Sequence, residues 1–236
     1  WLDFDNDGWK DLFVSNGIPK RMNDIDYVNF ISNGEIQEKL RIDKIEEKDL
    51  ALVNKFPEIK LPNRFFLNDH HLKFTDVTKS VTGTINSFSN GTIYADLDND
   101  GDLDIVCNNI DDPVLVYENL SRQRKEPSHY VRVKLTGDEA NPFAVGAKIY
   151  AFAQNNIQFF ENNPARGFQS SMQTPVHIGL GTLRLDSLTV VWPDNSYQTT
   201  TDVRPDTTLH IRHAKNKKAF NPEQFLNRMK RPEQEF

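Results

Sequence analysis

The sequence predicts a mainly β chain in which two strand-flanked acidic loops and a helical insertion precede an antiparallel β-sandwich or barrel. Three observations carry this. One acidic pattern occurs twice, with Asp3, Asp5, Asp7 and Asp11 around Gly8 and again with Asp96, Asp98, Asp100 and Asp104 around Gly101. Each copy runs into a short apolar, β-branched segment, Leu12–Ser15 and Leu103–Cys107, that is closed by Asn16-Gly17 or Asn108-Asn109. Beyond about residue 125, alternating segments recur between turn signals, the mark of a compact all-β domain.

The acidic loops come first. Carboxylates stand at loop positions 1, 3, 5 and 9, with glycine at position 6 for a tight turn. Carboxylates brought that close repel one another unless a cation sits among them. Hard oxygen donors in that number fit calcium. An EF-hand needs a chelating glutamate at position 12, and that position holds Val14 in one copy and Cys107 in the other, which excludes it. The expected ligands of the first site are Asp3, Asp5, Asp7 and Asp11 with the Trp9 carbonyl. Those of the second are Asp96, Asp98, Asp100 and Asp104 with the Asp102 carbonyl. A structural Ca2+ at each of the two sites follows.

Between the loops lies more chain than a four-stranded unit needs. A short helix over 26–32, capped by Asn23-Asp24, and a helical run from about Glu35 to Phe56 are expected as an insertion spanning about 23–57. In the run, Ile36, Leu40, Ile45, Leu52, Val53 and Phe56 mark the apolar face, and Pro57 and Pro62 close it. Strands are then expected over Thr92–Ala95 and Val114–Glu118. The charged segment Ser121–Pro127 reads as a linker, which sets a domain boundary near residue 125. In the second domain, 126–213, strands are expected over Tyr130–Leu135, Gly146–Phe152, Ile157–Glu161, Leu188–Trp192 and Thr208–Arg212, with a tight turn at Pro193–Ser196. Residues 214–236 read as a linker or docking tail toward a further domain, with Phe225, Leu226 and Met229 at helical spacing.

The first 125 residues resemble the FG-GAP/VCBS repeat. Both loops match its Asp-x-Asp-x-Asp-Gly-x-x-Asp pattern in full, and Asn63–Asn68 with Phe74–Thr78 is similar to its inter-loop hairpin. His70-His71 departs from it, since the family usually has a glycine-containing turn there. The resemblance implies partial β-propeller blades with integrin-like calcium loops. The second domain resembles ASPIC/UnbV from about His129 to Arg212, on Asn141–Ala147, Gly167–Ser171, His177–Gly181 and Val190–Asp194. Asn195 stands where that family commonly has glycine, a substitution asparagine tolerates because it accepts positive φ. This pairing of domains is similar to the cartilage acidic protein family and implies a bacterial surface protein.

Composition narrows the function. The net charge is −6, concentrated in the two loops, and no basic stripe interleaved with aromatics argues for nucleic acid. No apolar run is long enough to span a membrane. The lone Cys107 sits in a core strand and reads as inert. His70-His71, His210 and His213 read as solvated, Asp111-Asp112-Pro113 as a turn and Trp192 as core. No nucleophile elbow, phosphate loop or zinc motif occurs. Trp1-Leu2 leads straight into a loop without a preceding strand, as in a piece of a longer protein. The expectation is a non-enzymatic, calcium-binding module, secreted or on the outer cell surface, where a lipoprotein anchor would lie outside this stretch. It would serve binding, adhesion or envelope assembly, with other blades or domains of the same protein, envelope proteins or glycans as partners. The competing expectation is a scaffold or carbohydrate-binding part of a polysaccharide-processing enzyme or uptake system.

Overall fold

Leu2 and Asp11 bridge the two ends of the first acidic loop, and the chain then enters β1 (Leu12–Val14). The structure, a computed structural model, describes residues 1–17, 19, 25–42, 58–71, 73–154, 156–214, 218–223 and 225. The insertion carries two short helices, α1 (Ile25–Ile31) and α2 (Gly34–Arg41). Asn33 caps α2, its Oδ1 accepting from Glu35 N at 2.9 Å. The expected cap of the first helix at Asn23-Asp24, and the helical run beyond Ile42, lie outside the described residues.

After the insertion come β2 (Leu61–Pro62), β3 (Arg64–Asn68), β4 (Phe74–Asp76) and β5 (Asn86–Ser87). Strand β3 pairs antiparallel with both β1 and β4, and β2 pairs with β5. At the β3–β4 turn His70 takes φ 69°, the left-handed conformation that glycine would ordinarily supply. The second loop lies between β6 (Ser89–Ala95) and β7 (Asp104–Asn109), and β7 pairs onward with β8 (Leu115–Tyr117). The two small sheets meet over one cluster in which Leu2, Phe65, Leu103, Ile105 and Tyr117 are buried. Cys107 is fully buried there, and desolvation pushes its thiol up to about 11, which makes it a packing residue.

The C-terminal half is built from β9 (His129–Thr136), β10 (Lys148–Ala153), β11 (Asn156–Glu161), β12 (Ala165–Gly167), β13 (Ser170–Ser171), β14 (Val176–Gly181), β15 (Leu185–Val191), β16 (Ser196–Val203), β17 (Thr207–Arg212) and β18 (Lys218–Ala219). One sheet runs β11-β10-β15-β16-β18 and another β14-β9-β17, while β12 and β13 form a separate hairpin. Both larger sheets contribute to a single core, with Val131, Val133 and Ile178 facing Ile149, Leu188 and Val190. Each such side chain, fully buried, stabilises the fold by about 1.5–3 kcal/mol relative to exposure. The alternation at Val131 and Val133 lies where the sequence places it, and Trp192 is core.

One expectation is corrected. The pairing is not wholly antiparallel, because β17 runs parallel to β9 from Thr207↔Val131 to Arg212↔Thr136. In the described part of the tail, β18 pairs antiparallel with β16. Phe225 is buried and stands edge-on to Tyr150 at 4.5 Å and to Phe152 at 5.6 Å, on the outer face of β10. Among the described residues no helix is long and apolar enough to cross a membrane.

Candidate metal centres

The two acidic loops share one backbone. Position 4 is left-handed in both, with Asn6 at φ 60° and Asn99 at φ 64°, and so is position 6, with Gly8 at 93° and Gly101 at 100°. Position 9 does the same structural work in each copy. The Asp11 carboxylate accepts from Phe4 N and from Asn68 N, both at 3.0 Å. Asp104 accepts from Leu97 N at 2.9 Å and Asn119 N at 2.8 Å. The asparagines complete the closure through their side chains. Asn68 Nδ2 donates to the position 8 carbonyl of Lys10 at 3.0 Å, and Asn119 Nδ2 to that of Leu103 at 3.2 Å. The sequence does not announce this role, although Phe66-Leu67-Asn68 and Tyr117-Glu118-Asn119 share an aromatic two residues before the asparagine.

Position 7 turns its side chain away in both copies. The Trp9 indole stacks on His70 with ring centroids 5.2 Å apart. The Asp102 carboxylate accepts from Ser121 Oγ and Arg122 N, each at 3.0 Å. What these residues can offer a bound ion is their carbonyl oxygen.

The remaining carboxylates converge, but not identically. In the first loop Asp3, Asp5 and Asp11 each place an oxygen within 4.8 Å of the others; in the second, Asp96, Asp98 and Asp100 do so. Asp7 stands outside the first cluster because His70 Nε2 pairs with its Oδ2, while its Oδ1 accepts from Trp9 N at 2.8 Å. His70 is thus a loop partner as well as an exposed turn residue. Asp104 stands outside the second cluster, although its two accepted backbone bonds match those of Asp11. The second loop also carries a cation that sequence reasoning missed. Arg132, on β9, pairs with Asp96 Oδ2 and reaches Asn99 Oδ1 at 3.4 Å.

Burial and mutual repulsion raise the carboxylates of these clusters. Burial pushes Asp3 up to about 8, with Lys10 opposing and Asp7 and Asp5 adding to the rise. Burial likewise lifts Asp11 to about 7 against its hydrogen bonds from Asn68 and Phe4. Asp5 is raised by burial and then by Asp7, and Asp96 by burial with Arg132 opposing. Two carboxylate oxygens in the clusters, Asp5 Oδ1 and Asp96 Oδ1, are buried without a hydrogen-bond partner among the described residues. A buried anionic oxygen with no donor is costly. An all-oxygen cage of converging carboxylates fits a hard divalent cation that would meet that need.

The fold and site therefore define a mainly β chain in which two acidic loops of one design stand against a C-terminal β domain. Residues 137–218 match the model of the family described as ASPIC and UnbV, which supports an ASPIC/UnbV domain at the C-terminal end. No curated protein matches the chain.

Proposed function

We propose that this chain is a calcium-stabilised, non-catalytic module: β-propeller blades of the FG-GAP type followed by a β-sandwich, secreted or on the outer cell surface, serving binding or assembly. The observation that carries the calcium reading is the pair of convergent carboxylate clusters, each with a buried oxygen that no protein donor satisfies. Asp3, Asp5 and Asp11 would hold the first ion, with Asp7 and the Trp9 carbonyl beside them. Asp96, Asp98 and Asp100 would hold the second, with the Asp102 carbonyl. Asp104 supports the loop backbone through its two accepted bonds. The ion neutralises the cluster and cross-links the loop. Millimolar extracellular calcium suits such loops, whose dissociation constants in extracellular modules are about 10⁻⁴–10⁻³ M.

Support for a non-catalytic role comes from the commitments of the same groups. The carboxylates raised furthest by burial, Asp3, Asp11 and Asp102, all accept hydrogen bonds that shape the loops or their flanks. Thermal melting with calcium and with EDTA tests the proposal. Calcium is expected to raise the midpoint by several degrees, and identical midpoints would overturn it. A glycan array probed with and without chelator tests carbohydrate recognition, and hydrolysis of any glycan would overturn the non-catalytic reading.

A further inference from the structure

The segment His177–Gly181 on β14 carries part of the C-terminal domain's family resemblance, yet it holds no reacting group. Its surroundings give it a different task. The first acidic loop projects Asn6, at position 4, directly onto it. Gly181 N donates to Asn6 O at 2.7 Å, and His177 Nε2 lies 2.6 Å from Asn6 Oδ1, which accepts. Gly179 has to lack a side chain, since a Cβ there would come within 2.1 Å of Asp3 Oδ2 and 2.8 Å of the Asn6 backbone. Asn6 is fully buried by this contact, and its Nδ2 donates across to Gly101 O of the second loop at 2.9 Å. Tyr130 on β9 stacks on His177 and fills the space that a Cβ on Gly101 would need.

The C-terminal domain therefore grips the first loop at the two residues, Asp3 and Asn6, whose placement sets the shape of the carboxylate cluster. Asp3 offers oxygens to that cluster and Asn6 fixes the left-handed turn between positions 3 and 5. We propose that His177–Gly181 is a socket for the first acidic loop, and that docking in this socket and cation binding in that loop reinforce each other. The proposal rests on the calcium reading above. Its physical basis is linkage: both events favour one loop conformation, so each lowers the cost of the other, and the coupling is reciprocal. The second loop lacks this arrangement at its own position 4, where Asn99 meets Arg132 rather than the socket.

Terbium titration of the intact chain tests this, because terbium is a hard trivalent stand-in for calcium and Trp9, at position 7 of the first loop, can sensitise its emission under tryptophan-selective excitation. The second loop contains no tryptophan. Asn6→Gly keeps the left-handed backbone but removes the amide that joins His177 and Gly101, and it touches no proposed ligand side chain. It is expected to weaken Trp9-sensitised terbium binding about tenfold, the scale of typical allosteric coupling. The matched variant Asn99→Gly is expected to leave that signal unchanged. Reciprocally, calcium should slow proteolysis within 121–128 in the wild-type chain and have less effect in Asn6→Gly. Absence of terbium binding to the wild type would overturn the calcium reading and this inference with it. Equal terbium affinity in wild type and Asn6→Gly would overturn the inference alone. Should Asn6→Gly fail to fold, calcium-independent proteolysis of the wild type would overturn it instead.

Discussion

The two acidic loops share backbone conformation, spacing and closing asparagine, yet they stand in different surroundings. The first is deeply buried, with Asp3, Asn6 and Asp11 almost inaccessible, and is held by the C-terminal domain. The second leaves Asp98 and Leu97 exposed and has a guanidinium at its first carboxylate. A nine-residue pattern can thus specify a loop's shape without specifying its affinity. On the proposed calcium reading, affinity would depend on what the rest of the chain brings up: desolvation and the socket at the first loop, the Arg132 guanidinium at the second.

The largest difference is expected from removing a carboxylate. Asp3→Ala leaves Asp7 N and Gly8 N without their acceptor inside a buried loop, and should cost about 2–4 kcal/mol in urea unfolding without calcium. Asp98→Ala, at an exposed position that accepts from Asp100 N alone among the described residues, should cost under about 1 kcal/mol. Equal costs would mean that the loops are not distinguished by burial.

Acidity should separate the loops next. Asp3 and Asp11, raised to about 8 and about 7, hold protons in the ion-free fold near neutral pH, and on the proposed reading calcium would have to displace them. Calcium affinity of the first loop should therefore rise with pH from 6 to 8. The ion-free fold should respond in the opposite sense. It binds more protons than the unfolded chain between the ordinary carboxylate value and about 8, so its stability falls as pH rises through that window. His177, held at about 3 by burial and then by Lys10, Arg132 and Arg122, stays neutral in the fold while its unfolded counterpart takes up a proton below about 6.5, so it opposes the carboxylates there and their fall in stability should be clearest between about 6.5 and 8. At Asp96 the opposing Arg132 charge should make the second loop's response shallower. Calcium titrations at several pH values check this, and a flat profile for the first loop would count against it.

The smallest effect concerns the resident cation. Arg132→Met should strengthen calcium binding at the second loop by about threefold to tenfold at low salt and leave the first loop near its wild-type affinity. A weaker second site in calorimetry would show that Arg132 positions Asp96 rather than competing for it.

Much of this arrangement was legible in the sequence. The loops could be read because every determinant is local: carboxylates at fixed spacing, a glycine turn, and β-branched runs after each copy. The alternation of Val131 and Val133 and the burial of Trp192 were legible for the same reason. What could not be read depends on distant partners. Arg132 sits 36 residues from Asp96, and His177 sits 171 residues from Asn6, with no local pattern linking them. The parallel pairing of β9 with β17 is of this kind too, since alternation reveals a strand but not its neighbour's direction. Phe225 was recognisable as apolar, but its destination depended on Tyr150 and Phe152 facing outward from β10, away from the core formed by Ile149 and Ala151.

Isothermal calorimetry of calcium into the intact chain, beside the Asp3→Ala variant, tests the central claim most directly. Two ions per chain are expected in the wild type. In Asp3→Ala the pH-sensitive site should be lost and one site should remain. Heats indistinguishable from dilution in the wild type, at calcium concentrations well into the millimolar range, would contradict the claim.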